Sequence, residues 1–152
     1  MDDIEEPFTS IATPGTGGVQ HINDIPNVPE AVGPYSQLSI AGDSVYLSGQ
    51  LPIDPNTGKL VSGPIEDQTE QVFNNIEAVL KGAGLGLSDV VRYSVYLTDM
   101  NTFSEMNAIY AKRVGEFKPA RETLGVSALA LGAVIEITVT AQKRKYERHV
   151  ED

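Results

Sequence analysis

The sequence has no cysteine and only two histidines, His21 and His149, which stand near opposite ends of its 152 residues. Without cysteine there is no disulfide framework, no thiolate nucleophile and no cysteine zinc site, a composition that fits a reducing compartment. Without a central histidine, acid and base roles fall on carboxylates, tyrosines or backbone-held water, and Ser-His-Asp or Cys-His chemistry is disfavoured. Long apolar runs are missing too: no stretch of about 18 such residues exists to cross a membrane. Positive charge is scarce, with 11 Lys and Arg against 21 Asp and Glu and a net charge of -10. That balance makes a nucleic-acid partner unlikely, because binding a phosphate backbone gathers basic residues on one face. Lys and Arg do not occur before Lys59, so the amino terminus lacks the features of a secretory signal or an arginine-rich transit peptide. A soluble cytoplasmic protein is expected.

What is present fits one domain, since 16.3 kDa allows a sizeable core without disulfide or metal support. Residues 1–24, rich in Asp and Glu and carrying Pro14-Gly15-Thr16-Gly17-Gly18, read as an acidic flexible arm. Residues 143–152 hold Lys143, Arg144, Lys145 and Arg148 and read as a charged, solvated tail. Between them, Leu38-Ser39-Ile40 and Val45-Tyr46-Leu47 flank Ala41-Gly42-Asp43-Ser44, the pattern of a hairpin. Prolines and glycines from 51 to 65 mark a long loop. Val72, Ile76, Val79, Leu80 and Ala83 then recur at helical spacing, with acidic residues at the start of the segment and Lys81-Gly82 at its end. From Asp89 to Thr98 the chain alternates as a strand, with Val91, Tyr93, Val95 and Leu97 on one face. Asp99 is a candidate N-cap for a second helix to about Gly115, whose core stripe is Phe103, Met106, Ile109, Tyr110 and Val114, with Asn107 beside it.

The chain is organised around Pro119 to Ala141, two strands joined by a connection around Gly132 and offering one arginine, Arg121, and one carboxylate, Glu136, in apolar surroundings. An arginine fork matches a carboxylate in bidentate fashion. A carboxyl group in a partly dry site has its pKa raised and trades protons with water. Together the two point to binding a small acid and hydrating it; a self-satisfied ion pair or sheet-face charge is the alternative. Ser48-Gly49 at a strand end lets a ligand approach backbone N–H groups, or simply bends the strand. The element order β-β-α-β-α-β-β predicts an α+β domain with both helices on one face of a mixed sheet. The other face, low in charge, predicts self-association.

Five motifs then occur in order: Gly33-Pro34-Tyr35-Ser36-Gln37, Tyr46-Leu47-Ser48-Gly49-Gln50, Asn107-Ala108-Ile109-Tyr110, Pro119-Ala120-Arg121 and Ile135-Glu136-Ile137. Over residues 25–142 the chain resembles the reactive intermediate deaminase family, the RidA or YjgF proteins. The resemblance implies a chorismate-mutase-like fold, a homotrimer with ligand sites between subunits, and hydrolysis of enamine and imine acids to 2-oxo acids and ammonia without metal or organic cofactor. Carried onto this sequence, it implies that Arg121 binds the substrate carboxylate and that Glu136 positions or activates water. Tyr35 lines the site and assists proton transfer, while Ser48, Gly49 and Asn107 shape the pocket.

Two positions depart from the family pattern. Thr123 stands where many of the deaminases carry cysteine, which bears on pocket shape and makes Thr123 a further candidate for substrate binding. Ala130 replaces a common proline, in a loop. Two other readings stay open: a translation-inhibiting endoribonuclease, against which acidity and the lack of a central histidine count, and a non-catalytic small-acid-binding trimer that needs Arg121 but not Glu136.

Overall fold

Ile135, Ile137, Val139 and Ala141 alternate along the chain with Glu136, Thr138 and Thr140, and in the folded protein the first set is buried while the second is half exposed. This alternation, repeated in neighbouring strands, gives a sheet with one face under helices and one face open. The computed structural model describes residues 10–14 and 18–144, with side chains from residue 18 onward. In chain order these form β1 (Ser10–Pro14), β2 (Gln20–Asn23), β3 (Leu38–Ala41), β4 (Ser44–Leu47), β5 (Ile53–Asp54), β6 (Lys59–Leu60), α1 (Ile65–Gly82), β7 (Val90–Leu97), α2 (Phe103–Val114), β8 (Ala120–Gly125) and β9 (Ile135–Gln142). Seven strands make one sheet in the order β1-β2-β3-β4-β9-β7-β8, and β5 and β6 pair separately. Only β7 and β8 run parallel; the other pairings are antiparallel, so the sheet is mixed.

The core lies between the sheet and the helices. Val72, Phe73, Ile76, Val79 and Leu80 of α1 are fully buried against Tyr93, Val95, Leu97, Ile135 and Ile137. Burying a side chain of this size stabilises the fold by about 1.5–3 kcal/mol before conformational entropy is set against it. Phe73, Tyr93 and Tyr110 form an aromatic cluster with centroids 5.3–5.9 Å apart, in tilted and edge-on geometries. Arg113 of α2 ties the helices together: Nη1 donates to Glu70 Oε2 at 2.6 Å and Nη2 to Glu77 Oε1 at 3.1 Å, with its Cζ 5.4 Å from the Phe73 centroid.

Several local expectations change. Gln20–Asn23, read from the sequence as part of the acidic arm, is a sheet strand paired with β3, and Ser10–Pro14 pairs with it in turn. Its His21 therefore sits within the sheet, its Nδ1 2.7 Å from Ser39 Oγ. Only Ile22 of the four β2 residues is buried, too short an apolar signal to announce a strand. The loop at 51–65 carries the small β5–β6 hairpin. A bulge between Val90 and Arg92 turns Val90 into the core and leaves Val91 exposed, reversing the alternation expected there. The left-handed residue after α1 is Gly84, not Gly82; Gly82 ends the helix where a Cβ would come within 2.8 Å of Ile25. Asp99 does cap the next segment, its Oδ1 accepting from Asn101 N–H at 3.0 Å, but the first turn is 3-10 before α2 begins. The first nine residues and the tail from Lys145 lie outside the described residues.

Buried Asn75 of α1 donates through Nδ2 to the carbonyls of Leu51 (3.1 Å) and Ile53 (2.9 Å), fixing the segment that follows β4. Replacing it with Ala leaves both acceptors without this donor, so Asn75→Ala is expected to lose about 1–3 kcal/mol, read as a lower urea midpoint at unchanged slope.

Candidate active site

Strand register decides where the candidate residues stand. Tyr93, Val95 and Leu97 of β7 face the helices. Arg121 and Thr123 of β8 pair with Tyr93 and Val95, so they share the helix face. Glu136 of β9 pairs with Tyr96, which points the other way, so Glu136 stands on the open face. Three residues of strand rise and two strand spacings put their Cα atoms roughly 14 Å apart. A single chain therefore does not bring Arg121 and Glu136 together. It presents two separate groups of candidate residues.

The first group gathers at the sheet edge. Arg121 Nη1 donates to Asn107 Oδ1 at 2.6 Å, and its Cζ lies 4.5 Å from the Tyr110 centroid and 5.6 Å from that of Phe103. Asn107, Tyr110, Val114, Lys118 and Arg121 line a hollow of about 460 Å3. Thr123 Oγ1 is buried without a hydrogen-bond partner, as is the Tyr110 hydroxyl. Burial pushes the Tyr110 phenol above its ordinary range, with the Arg121 charge acting in the opposite direction.

The second group surrounds the end of β4. Gln50 N–H donates to the Ile137 carbonyl at 2.8 Å and Ile137 N–H returns a bond to Gln50 at 3.1 Å, holding residues 48–50 against β9. A Cβ added at Gly49 would collide with Glu136 Oε1 and lie 2.9 Å from its Cδ, so the carboxyl group rests directly on the glycine. Any larger residue there would push the Glu136 carboxyl group out of this position. Ser48 Oγ donates to the Ser36 carbonyl at 2.5 Å, which holds the Tyr35 segment beside Gly49. Tyr35, 49% exposed, lines a cavity of about 220 Å3 together with Val32, Ser48, Gly49, Leu51 and Leu131. Desolvation raises the Glu136 pKa from its ordinary value.

The family motifs imply one site between subunits that holds Arg121, Asn107, Tyr35, Ser48, Gly49, Thr123 and Glu136. The structure sorts Tyr35, Ser48, Gly49 and Glu136 from Arg121, Asn107 and Thr123. It also adds residues that the sequence reading put elsewhere or passed over. Tyr110 and Phe103 have the spacing of a core stripe, yet both touch Arg121, and their i, i+4, i+7 spacing with Asn107 places all three on one helix face. Leu131, 66% exposed, lines the Tyr35 cavity with a left-handed backbone (φ 59°). Among the described residues no group of three or more His, Asp or Glu could hold a metal, and no helix is long and apolar enough to cross a membrane.

A mixed sheet with two helices on one face defines an α+β domain, and among the described residues it holds one arginine without a carboxylate partner and a desolvated glutamate. The chain belongs to the Endoribonuclease L-PSP family, whose members include the RutC and Rid proteins: that family's model matches residues 25–143. It is 50% identical over 117 residues to a RutC family protein of Pyrococcus horikoshii, covering 77% of this chain and 93% of that one. It is 41% identical over 141 residues to Reactive Intermediate Deaminase A, chloroplastic, of Arabidopsis thaliana, covering 93% of this chain and 75% of the relative. Among solved structures, TdcF of E. coli with bound serine superposes with a TM-score of 0.76 at 31% identity, over 81% of this chain and 98% of that one. The fold is the chorismate-mutase-like fold of that family, as the sequence motifs implied.

The raised Glu136 pKa carries a sign for stability. In the interval between the unfolded and folded pKa, the folded chain holds a proton that the unfolded chain has lost, so stability falls as pH rises through it. Glu136→Gln removes that penalty. Its melting temperature is expected to exceed the parent's at neutral pH, with the gap closing once the pH drops below the ordinary carboxylate range.

Proposed function

We propose that this protein is a hydrolytic deaminase of reactive enamine and imine acids of the 2-aminoacrylate type, releasing 2-oxo acids and ammonia without a metal or organic cofactor. The observation that carries this reading is the state of Glu136: a half-buried carboxylate resting on Gly49 with its proton affinity raised by desolvation. The name of the Arabidopsis relative supports it.

In this reading Arg121 binds the substrate carboxylate, with Asn107 holding one side of the guanidinium. An enamine substrate first takes a proton from solvent at its terminal carbon and becomes the protonated imine, whose carbon is electrophilic. Water attacks it, a C–O bond forms, and the water proton passes to Glu136. The proton then moves from Glu136 to the nitrogen of the carbinolamine, the C–N bond breaks, and ammonia leaves as the carbonyl forms, the hydroxyl proton passing to Glu136 and from there to solvent. Tyr35 lines the cavity and assists proton transfer, while Ser48, Gly49, Asn107 and Thr123 shape the surroundings. Because Arg121 and Glu136 occupy opposite faces of one sheet, both reach one ligand only if a second copy contributes. We assign the working form to a homotrimer with sites between subunits, in which the edge strand β8 of one copy meets the open face of its neighbour. The cytoplasm is the compartment this chemistry suits.

An endoribonuclease reading takes support from the family's description. Against it stands the net charge of -10, with Arg92, Arg113 and Arg144 also engaged in ion pairs.

Two variants test the assignment, assayed for ammonia release from a dehydratase-generated enamine and for 2-oxo acid binding by calorimetry. Arg121→Lys keeps the charge but loses the planar fork, so binding and turnover both fall. Glu136→Gln still binds the 2-oxo acid while turnover drops on the order of 10²- to 10⁴-fold. A Glu136→Gln variant as active as the parent makes Glu136 a structural charge and favours the non-catalytic binder. Sedimentation at micromolar concentration is expected to give a trimer; a monomer contradicts the shared site.

A further inference from the structure

Arg121 differs from the other arginines among the described residues. Arg92 meets Glu122 at 2.9 Å, Arg113 meets Glu70 at 2.6 Å and Arg144 meets Asp89 at 3.1 Å. Arg121 meets no carboxylate among the described residues. Its partners are the faces of Tyr110 and Phe103 and the amide oxygen of Asn107, all from α2. Arg113 supplies an internal contrast, since it too lies over an aromatic ring, that of Phe73, yet is also paired with Glu70 and Glu77. An ion pair would orient Arg121 equally well, but its carboxylate would compete with any incoming acid. An aromatic face attracts a guanidinium without cancelling its charge, and an amide oxygen is a neutral acceptor. The side chain is long and exposed, so without such contacts it samples many rotamers.

We propose that Tyr110 and Phe103 are positioning residues for Arg121: they form an aromatic seat on α2 that, with Asn107, fixes the guanidinium while leaving its charge and remaining N–H groups for an anionic ligand. The inference rests on the reading of Arg121 as the carboxylate-binding residue. Tyr110 acts through its ring, because its hydroxyl is buried and unpartnered. Its edge-on contacts with Phe73 and Tyr93 anchor that ring in the core, so the seat is part of the rigid body of the domain.

The test compares Tyr110→Phe, Tyr110→Leu and Phe103→Leu in the full chain, with pyruvate binding by calorimetry, steady-state kinetics of ammonia release, and NMR of the Arg121 guanidinium. Tyr110→Phe should match the parent. Tyr110→Leu should weaken pyruvate binding and raise KM roughly 3- to 30-fold, the range of a lost cation–π contact, with a smaller change in kcat. Phe103→Leu should act in the same direction more weakly, and being only partly buried it carries the test if Tyr110→Leu does not fold. Rotation of the Arg121 guanidinium should be slow in the parent and in Tyr110→Phe and faster in the leucine variants. Folded leucine variants with parental KM and pyruvate affinity overturn the proposal. A parent that neither binds pyruvate nor releases ammonia overturns the deaminase reading instead; the seat itself is then judged by guanidinium rotation, and rotation equally fast in parent and leucine variants refutes it.

Discussion

The pairing of β7 with β8 on one side and β9 on the other is the constraint on which the arrangement depends. Side chains alternate along a strand, so Tyr93 opposite Arg121 and Tyr96 opposite Glu136 send the two charged groups to opposite faces. A slip of one residue in either register would exchange core and surface residues along the whole strand. The buried row of Tyr93, Val95 and Leu97, facing Ile135, Ile137 and Val139 across the β7–β9 ladder, makes such a slip costly. Core packing and the placement of the candidate site are therefore one and the same feature of the sheet.

Each group is then tuned by its immediate neighbours. Glu136 is kept half dry by contact with Gly49, whose lack of a side chain is what permits the approach, and the Gln50–Ile137 bonds hold that contact in place. Arg121 is contacted by rings and an amide instead of a carboxylate. One group gains proton affinity from desolvation, and the other keeps an uncancelled charge. In the proposed reaction the first serves water activation and the second acid binding.

Much of this was legible in the sequence, for definite reasons. The helix at Ile65–Gly82 carries a full apolar stripe, and the hairpin of β3 and β4 has a glycine at its turn, so period and turn chemistry agreed. Arg121, Glu136 and the Ser48-Gly49 strand end stood out as polar or flexible residues in apolar surroundings. What stayed hidden depends on contacts distant in sequence. The bulge after Val90 shifts one residue without leaving a compositional mark. Strand β2 has a single buried side chain. Tyr110 has the spacing of a core residue and is one, and nothing in its spacing separates core packing from support of Arg121. Above all, motif order names Arg121 and Glu136 but does not say which face each takes, because that requires the register of β7 with both neighbours.

The proposed catalytic site, with Arg121 from one copy and Glu136 from another, is tested most directly by mixed trimers. Arg121→Ala and Glu136→Gln chains, each inactive alone, are unfolded together and refolded as mixed trimers, with the separately refolded proteins as controls. If the two residues come from different copies, some interfaces join an intact Arg121 to an intact Glu136, and random mixing restores roughly a quarter of the parental ammonia release. If both act from the same copy, no mixed interface contains an intact pair. Verified mixed trimers that remain as inactive as either variant alone would contradict the account.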